Sequence, residues 1–255
     1  MCRLAAYLGA PLSLRTFLIE PEHSLYVQSW QPKELDYAKL NVDGFGIGWH
    51  QVDGTPACYR IAQPIWSDPN LPALAASLKR DIWVAMVRSA TPGYATDLHN
   101  TQPFCDAHRL FVHNGFIKNF QYKLRRAFLE RIDPEIESDI KGLTDSEYIF
   151  ALIRQLINEN SSVDISSVLR QAQQWIREQA DEHAAMLNII ISDGNSLFAM
   201  RNAINENAPS MYYLYKNNTH QIASECSTTE KEWRVLPKDT ILILHRDQKP
   251  QLLPL

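Results

Sequence analysis

The sequence lacks the features that mark several common classes of protein. It has no excess of basic residues, because 25 Lys and Arg stand against 29 Asp and Glu and the net charge is -4. Binding to a phosphate backbone needs clustered positive charge, so nucleic acid is not an expected partner. No segment approaches the ~20 consecutive apolar residues that span a bilayer, so we expect a soluble protein without a membrane partner.

Cysteine is scarce and never paired in sequence. The four cysteines are Cys2, Cys58, Cys105 and Cys226. Without a C-x-x-C pair, neither a zinc site nor a disulfide framework is indicated, and a cytoplasmic location is expected. His99, His108 and His113 do not form a compact ligand pattern, so we expect neither a metal nor a cofactor.

Hydrophobic periodicity predicts strands at both ends of the chain and helices between them. Strands or hairpins are predicted over 2–9, 44–50, 57–64, 81–87, 110–117, 186–201, 211–224 and 240–253. Helices are predicted over 11–20, 66–80, 118–132, 144–160 and 164–183. The strands arrive as hairpins rather than as alternating βα units, which predicts an α+β fold of two antiparallel sheets with helices outside.

Local signals place the ends of several elements. Asn-Gly at 114–115 and Asp-Gly at 193–194 each predict a hairpin turn. Asp68 followed by Pro69 predicts a helix start, and Thr144 with Glu147 predicts a capping box. The glycines of "DGFGIGW" follow G-x-G-x-G with no helix after them, so a dinucleotide-binding fingerprint is excluded.

The second residue is the first candidate for catalysis. If Met1 is removed, the thiol of Cys2 stands beside a free α-amine, whose pKa near 7.7 to 8.0 allows it to act as a base. Chance occupation of the position is the alternative. The segment "HNG" is a second candidate, since Asn114 and Gly115 offer two hydrogen-bond donors for an oxyanion; a simple hairpin turn is the alternative.

Two charged residues are candidates for holding substrate. Arg88, at the end of a predicted strand, has the fork geometry that binds a carboxylate, or it is a solvated cation. Asp145 suits an ammonium group, although an acidic residue in the first turn of a helix is also favoured by the helix dipole.

Together the motifs resemble the class II glutamine amidotransferases, which are N-terminal nucleophile hydrolases. They are Cys2, Asp43-Gly44-Phe45-Gly46, Arg88-Ser89-Ala90-Thr91, Asn100 with Pro103-Phe104, His113-Asn114-Gly115, Asp145-Ser146-Glu147 and Ala223-Ser224-Glu225. The resemblance implies one domain over 1–255 with a four-layer αββα sandwich. It departs from the family at Met86 and Gln102, where relatives often have histidine.

The same resemblance implies roles for individual residues. Cys2 attacks the γ-carbonyl of a glutamyl group, and Asn114 and Gly115 form the oxyanion hole. Arg88 binds the α-carboxylate and Asp145 the α-amine. Further residues are expected in the substrate site: Thr91, His113, Ser224 and Glu225.

Length and further motifs point to a substrate class. A fused ammonia-consuming domain would need well over ~100 further residues, so we expect no second catalytic domain in this chain. The segments "LYVQSWQPKELDYAKLNVDGFGIGW" and "PIWSDPNLPALA" resemble the stand-alone γ-glutamyl amidases of ergothioneine biosynthesis. That implies a small-molecule substrate, γ-glutamyl-hercynylcysteine sulfoxide, and release of glutamate.

Three alternatives stay open. The chain is a glutaminase subunit that passes ammonia to a partner, or a non-catalytic binding protein that retains Met1. A third concerns the aromatic residues, which either form a cation-π wall for a trimethylammonium group or pack in the core. They are Trp30, Phe45, Trp49 and Trp66.

Overall fold

The computed structural model describes residues 1–35, 40–90, 93 and 95–255. The strands in these ranges are β1 Arg3–Ser13, β2 Phe45–His50, β3 Pro56–Ile61, β4 Lys79–Val87, β5 Phe104–Cys105, β6 Leu110–Ile117, β7 Ala185–Ser192, β8 Ser196–Ile204, β9 Tyr212–Lys216, β10 Thr219–Ala223, β11 Arg234–Val235, β12 Thr240–His245 and β13 Gln251–Pro254. The helices are α1 Leu14–Leu18, α2 Leu25–Gln28, α3 Leu71–Ser77, α4 Phe120–Lys123, α5 Arg125–Arg131, α6 Pro134–Glu137, α7 Asp145–Glu159 and α8 Ile165–Ala180. Single 3₁₀ turns occupy Ile65–Ser67 and Leu98–Asn100.

The strands form two antiparallel sheets. The seven-stranded sheet has the order β11-β9-β10-β1-β4-β2-β3, and the six-stranded sheet has the order β13-β12-β8-β7-β6-β5. Neighbouring strands within each sheet pair in the antiparallel direction. The predicted hairpin at Asp193-Gly194 is confirmed, since it joins β7 to β8 and Gly194 has a φ of +91°.

Three apolar clusters separate four layers. One lies between the sheets and includes Leu4, Leu8 and Val112. A second packs the six-stranded sheet against α4, α5, α7 and α8, and a third packs the seven-stranded sheet against α1, α2 and α3. Alternate strand residues point to opposite faces of a sheet, so each strand feeds both an inner and an outer cluster. The predicted αββα sandwich is confirmed.

The hairpin predicted at Asn114-Gly115 is wrong. β6 runs through both residues without a turn, and its register with β7 is continuous from Leu110 opposite Ser192 to Ile117 opposite Ala185. Gly115 is required for a different reason. A Cβ at this position would overlap the carbonyl oxygen of Met186, so glycine permits a close approach within the sheet rather than a turn.

Two predicted helix starts are also wrong in detail. α3 begins at Leu71 with Asn70 before it, and the Asp68 carboxylate instead accepts the Asn70 N–H at 2.9 Å. Thr144 precedes α7 as predicted, but its hydroxyl caps nothing in the part of the chain that the structure describes. The Glu147 carboxylate accepts the N–H groups of the preceding loop, at Lys141 and Gly142, so the capping box does not form.

The helix predicted over 118–132 is broken in two. α4 ends at Lys123 and α5 begins at Arg125, with Leu124 between them at a φ of -104° and a ψ of -28°. Across the described ranges, none of the helices combines the length and the apolar character that crossing a bilayer demands.

Candidate active site

Cys2 lies at the mouth of the space between the two sheets. It directly precedes β1, and its half-buried side chain packs against the same inner cluster as Leu4. The thiol donates a 3.7 Å hydrogen bond to the carbonyl oxygen of Ser89, which follows β4. Met1 stands before it here, so the Cys2 nitrogen belongs to a peptide bond.

Asn114 faces the same space from the six-stranded sheet. Leu110 and Val112 point into the inner cluster while Phe111 and Ile117 point to the helices, and Asn114 shares the parity of Val112. Its side chain is fully buried, and neither the oxygen nor the nitrogen of the amide has a hydrogen-bond partner among the described residues. A buried amide left without partners costs free energy, which makes it a candidate to bind a ligand.

The backbone N–H of Gly115 points to the open edge of β6. The neighbouring alternate residues define that direction: Gln102 binds both the N–H and the carbonyl of His113, at 2.5 Å and 3.1 Å, and Asp145 accepts the N–H of Ile117 at 2.6 Å. Alternate N–H groups in a strand point the same way, so the Gly115 N–H faces away from β7. β5 pairs with β6 only at Leu110 and Phe111, which leaves this N–H unpaired by the sheet.

His113 holds β6 against the first turn of α7. One ring nitrogen lies 2.8 Å from the Ser146 hydroxyl and the other 2.8 Å from the Met186 carbonyl oxygen. Burial lowers the pKa of His113, so the ring is neutral near pH 7. Both ring nitrogens thus have hydrogen-bond partners within the protein, at Ser146 and Met186.

Asp145 is the first residue of α7 and is buried. One carboxylate oxygen accepts the Ile117 N–H and the other accepts the Ser146 N–H at 2.8 Å. Burial raises the pKa of Asp145, and hydrogen bonds to the carboxylate oppose the rise. The residue also lines a cavity of about 650 Å³ together with Gly93, Phe116 and Leu143. An acidic group at a cavity wall can hold an ammonium group.

Arg88 is buried at the end of β4. Its guanidinium donates to the carbonyl oxygens of Asp43 at 3.2 Å and Ala95 at 3.3 Å. The Asp43 carboxylate in turn accepts the Ala90 N–H at 2.7 Å and the Thr96 hydroxyl at 3.1 Å. These bonds fix the chain on both sides of the Arg88 side chain. Thr91, which is also predicted to be a site residue, lies outside the described residues.

Ser224 and Glu225 tie the start of the chain to β10. The Ser224 hydroxyl accepts the Leu4 N–H at 3.0 Å, and its own N–H donates to the Leu4 carbonyl at 2.9 Å. Glu225 accepts a 3.2 Å bond from the guanidinium of Arg3, which also donates a 2.8 Å bond to the Cys2 carbonyl. A single side chain, that of Arg3, thus connects the Glu225 carboxylate to the backbone of Cys2.

Further donors surround the Glu225 carboxylate. His23 lies 2.7 Å from it, and the N–H groups of Lys33 and Glu34 donate at 2.8 Å and 3.1 Å. Burial opposes ionisation, but these hydrogen bonds outweigh it and lower the pKa of Glu225. A buried, ionised carboxylate therefore joins three separate segments of the chain.

Comparison with known families agrees with this geometry. Residues 19–224 match the family model described as glutamine amidotransferases class-II. The chain belongs to that family. The family match, together with relatives of this chain that are named hydrolases, identifies it as an amidohydrolase enzyme.

Relatives of this amidotransferase fall into two groups. The probable glutamine amidotransferase DUG3 of Saccharomyces cerevisiae is 28% identical over 96% of this chain and 82% of its own length. The gamma-glutamyl-hercynylcysteine sulfoxide hydrolases of Mycolicibacterium smegmatis and Mycobacterium tuberculosis are 34% and 36% identical over 53% and 46% of this chain. Those matches span 60% and 50% of the two hydrolases, so they cover only part of each protein.

Solved structures share the fold. A glutamine aminotransferase class-II domain protein from Silicibacter pomeroyi superposes with a TM-score of 0.73, at 25% identity, over 99% of both chains. An allosteric regulatory enzyme of purine biosynthesis superposes with a TM-score of 0.69 at 14% identity, over 49% of its own chain. The second likeness concerns the fold alone.

The sequence did not reveal several residues that build the site of this amidotransferase. Arg3 and His23 bind Glu225, and Gln102 holds the backbone of His113. Arg3 directly follows Cys2, and a charged residue inside an otherwise apolar strand was the available signal. Gln102 stood out in the sequence only as a departure from the histidine of relatives, and no local pattern indicated that its amide holds the backbone of His113.

The four aromatic residues do not form one wall. Phe45 and Trp49 pack in the outer cluster between the seven-stranded sheet and its helices, so for these two residues the core-packing alternative holds. Trp30 and Trp66 differ: their rings meet edge to face at 5.8 Å, and both are more than a third exposed. These two remain able to contact a ligand.

Proposed function

We propose that the chain hydrolyses a γ-glutamyl amide, with Cys2 as the nucleophile after Met1 has been removed, and releases glutamate. The observation that carries this proposal is the buried amide of Asn114, which has no hydrogen-bond partner among the residues that the structure describes and faces the space where Cys2 lies. The N–H of Gly115, which faces away from β7 beyond the end of the β5 pairing, adds a second donor on the adjacent residue. Two such donors are what a tetrahedral oxyanion requires.

The proposed reaction has two halves. The Cys2 thiol gives its proton to the α-amine of Cys2 as its sulfur attacks the γ-carbonyl carbon. The C–N bond then breaks as the protonated amine donates that proton to the leaving nitrogen. Water then attacks the resulting glutamyl thioester and gives a proton to the same amine. The C–S bond breaks, glutamate leaves, and the amine returns the proton to the Cys2 sulfur. Asn114 and Gly115 stabilise the oxyanion in both halves, each donor being worth about 3 kcal/mol in the transition state.

Charged residues are proposed to orient the glutamyl group. Arg88 binds its α-carboxylate and Asp145 its α-amine, while Asp43 and Ala95 hold the Arg88 guanidinium in place. A glutamyl group that is held in the reactive orientation has already lost its entropy on binding, so the activation barrier of the chemical step is lower. Thr91 and His113 are proposed to support this pocket, and Ser224 and Glu225 to fix Cys2 through β1 and Arg3.

We propose γ-glutamyl-hercynylcysteine sulfoxide as the substrate. The support is partial similarity to hydrolases named for that compound, at 34% and 36% identity. The exposed pair Trp30 and Trp66 is chemically suited to a trimethylammonium group, which binds to aromatic faces. Trp30 precedes by three residues the N–H of Lys33 that binds Glu225, so the pair is connected to the site through a short loop.

A glutaminase that supplies ammonia to a partner is the second candidate. It is favoured by the extent of the match to the yeast protein named a probable glutamine amidotransferase, which covers 96% of this chain. The two candidates share the nucleophile, the oxyanion donors and the glutamyl pocket. They differ only in the leaving amine.

Side-by-side kinetics separate these candidates. Protein with Cys2 as its first residue is assayed for glutamate release from γ-glutamyl-hercynylcysteine sulfoxide, from a simple γ-glutamyl dipeptide and from glutamine. We expect kcat/KM to be at least a hundredfold higher for the sulfoxide. A preference for glutamine supports the second candidate, particularly if a partner raises ammonia release.

Two further experiments address two other open points, whether the chain is a binding protein and whether Trp30 and Trp66 contact the substrate. Intact mass measures whether Met1 is removed when the protein is made in cells, and Met1 retained throughout indicates a binding protein. Trp30→Ala and Trp66→Ala are compared with Trp175→Ala, which contacts Phe128 on the helical side of the other sheet. An unchanged KM for the sulfoxide in the first two variants contradicts the aromatic contact.

A further inference from the structure

Two cysteines lie on strands that end the two sheets on the same side of the molecule. β3, which contains Cys58, is the last strand of the seven-stranded sheet, and β5, which contains Cys105, is the last strand of the six-stranded sheet. Cα atoms of β3 and β5 approach within 8 Å. Stacked sheets are usually about 10 Å apart, so the edges converge here.

Both cysteine side chains face the space between the sheets. Cys58 pairs with Gly48 across the seven-stranded sheet and packs against the inner cluster. Cys105 pairs with Leu110, a member of that cluster, whereas its neighbour Phe104 points to the helices. Gly48 and Leu110 are themselves close, because a Cβ on Gly48 would lie 2.8 Å from the Leu110 side chain. The two cysteines therefore flank one contact between the sheets.

The two thiols differ in chemistry. Interaction with the neighbouring Cys58 thiol, opposed by burial and aided by Arg60, lowers the pKa of Cys105 to about 7. The same contact, together with burial, raises the pKa of Cys58. Cys105 is exposed and lines a cavity of about 460 Å³ with Arg60 and Arg154. A thiolate that solvent reaches, beside a second thiol, is the arrangement that peroxide-sensing cysteines use.

We propose that Cys105 and Cys58 form a redox modification site, in which hydrogen peroxide converts the two thiols into a reversible disulfide between the sheets. The Cys105 thiolate attacks the peroxide, the O–O bond breaks, and protonation of the leaving oxygen gives the sulfenic acid and water. The Cys58 thiol then attacks the Cys105 sulfur, a second water leaves, and the disulfide forms. Two electrons pass from sulfur to peroxide oxygen, and a dithiol returns them on reduction.

The pair is connected to the candidate active site by two side chains. Arg60, two residues beyond Cys58, donates a 3.1 Å hydrogen bond to the Thr101 carbonyl. Gln102 follows and holds both backbone groups of His113, the residue before Asn114. The proposed disulfide would join β3 to β5, the strands that carry Cys58 and Cys105, next to the segment that contains Thr101 and Gln102. It does not involve Cys2, so the proposal is independent of the amidase reaction.

Peptide mapping tests the proposal directly. The reduced protein is treated with hydrogen peroxide, free thiols are alkylated, and a tryptic digest is analysed without reductant. Cys58 and Cys105 fall in separate peptides, 40–60 and 89–109, and Cys226 falls in 217–231. We expect one linked pair, 40–60 with 89–109, that dithiothreitol separates. Absence of that pair, or linkage through Cys2 or Cys226 instead, overturns the proposal.

Single substitutions assign the two roles. In Cys58→Ser we expect Cys105 to stop at the sulfenic acid, which dimedone traps, whereas in Cys105→Ser we expect Cys58 to stay reduced. Cys226→Ser is the control and should form the linked pair as the wild type does. Cys58→Ala serves as a second variant if the serine unfolds the protein. Dimedone labelling of Cys58 in Cys105→Ser, at the wild-type rate, contradicts the assignment.

The rate of alkylation gives a measurement on the untreated protein. At pH 7 we expect iodoacetamide to modify Cys105 about tenfold faster than Cys226, because burial raises the pKa of Cys226 and only the thiolate reacts. The Cys105 rate should rise with pH through a midpoint near 7. Equal rates at the two cysteines show that Cys105 is an ordinary thiol and refute its role as the attacking group.

Discussion

The two sheets hold their halves of the candidate active site in different ways. The seven-stranded sheet carries Cys2, which stands before the first residue of β1 and is held through the Arg3–Glu225 ion pair. The six-stranded sheet carries Asn114 and Gly115, which lie inside β6 with a paired strand alongside. One half depends on buried charge and the other on strand geometry.

The difference follows from where each group lies in its strand. A residue at the end of a strand has few ladder hydrogen bonds, so another contact must fix it, and Arg3 supplies that contact at the Cys2 carbonyl. A residue inside a strand has its direction set by alternation. Charge is expensive to bury, which makes the Cys2 half more sensitive to pH and to loss of one partner.

Removal of the nucleophile has the largest expected effect. Cys2→Ala should abolish glutamate release, because alanine has no thiol to attack the γ-carbonyl, and Cys58, which packs against the same inner cluster, lies three strands from β1 on β3. Initial rates with protein lacking Met1 measure this, with Cys226→Ala as the control. Residual activity within tenfold of wild type requires a different nucleophile.

Loss of an oxyanion donor should be the next largest effect. Asn114→Ala should lower kcat about 10²- to 10³-fold with little change in KM, since the donor acts mainly in the transition state. The matched control is Asn70→Ala, an exposed amide before α3 whose side chain makes no capping bond. A rise in KM with unchanged kcat assigns Asn114 to ground-state binding instead.

The ion pair of the Cys2 half should affect both stability and rate. Glu225→Gln leaves Arg3 buried with a weaker partner, and removing one partner of such a pair costs roughly 3 to 5 kcal/mol. We expect the free energy of unfolding, measured with urea, to fall by nearly that amount and kcat to fall at least tenfold. The control is Glu20→Gln, in an exposed pair with Arg15 that should contribute little.

The same pair predicts a pH dependence. Since the pKa of Glu225 is lowered in the folded state, its contribution to stability is present above the unfolded pKa, about 4.3, and is lost as pH falls through the folded pKa. The difference in unfolding free energy between wild type and Glu225→Gln should therefore shrink below about pH 4. A difference that stays constant over that range contradicts an ionised Glu225.

Two antiparallel sheets with helices outside could be predicted from the order of strands and helices, because alternation and helix period are local properties, whereas the four-layer αββα arrangement was implied by the family resemblance. Cys2, Asn114 and Gly115 could be chosen as candidates because their residue types suit acyl transfer. Arg3 and Glu225 are 222 residues apart, and no local pattern reports such a contact. The ion pair therefore had to come from the structure.

The error at Asn114-Gly115 has a physical cause. The same dipeptide serves a tight turn, where glycine adopts a positive φ, and a strand interior, where the missing Cβ allows close packing. At Gly115 the second use applies, because the Met186 carbonyl and the His113 ring occupy the place of a side chain. Sequence periodicity on both sides of the dipeptide is identical in the two cases.

The smallest expected effect lies outside both halves. Asp164 caps α8, accepting the Ser167 N–H at 3.1 Å and bonds from the hydroxyls of Ser166 and Ser167. Asp164→Ala should lower the free energy of unfolding by about 1 kcal/mol and leave kcat unchanged. Asp164→Ser, which retains a capping oxygen, is the matched control and should lose much less.

Acid separates the charge of this cap from its hydrogen bonds. The serine hydroxyls and the Ser167 N–H lower the pKa of Asp164 to about 2, so its extra stability is present above the unfolded pKa, about 3.9, and is lost as pH falls toward 2. Asp164→Asn keeps a neutral cap that does not titrate. The stability gap between wild type and Asp164→Asn should close over this range, and a gap that persists at pH 2 places the effect in the hydrogen bonds alone.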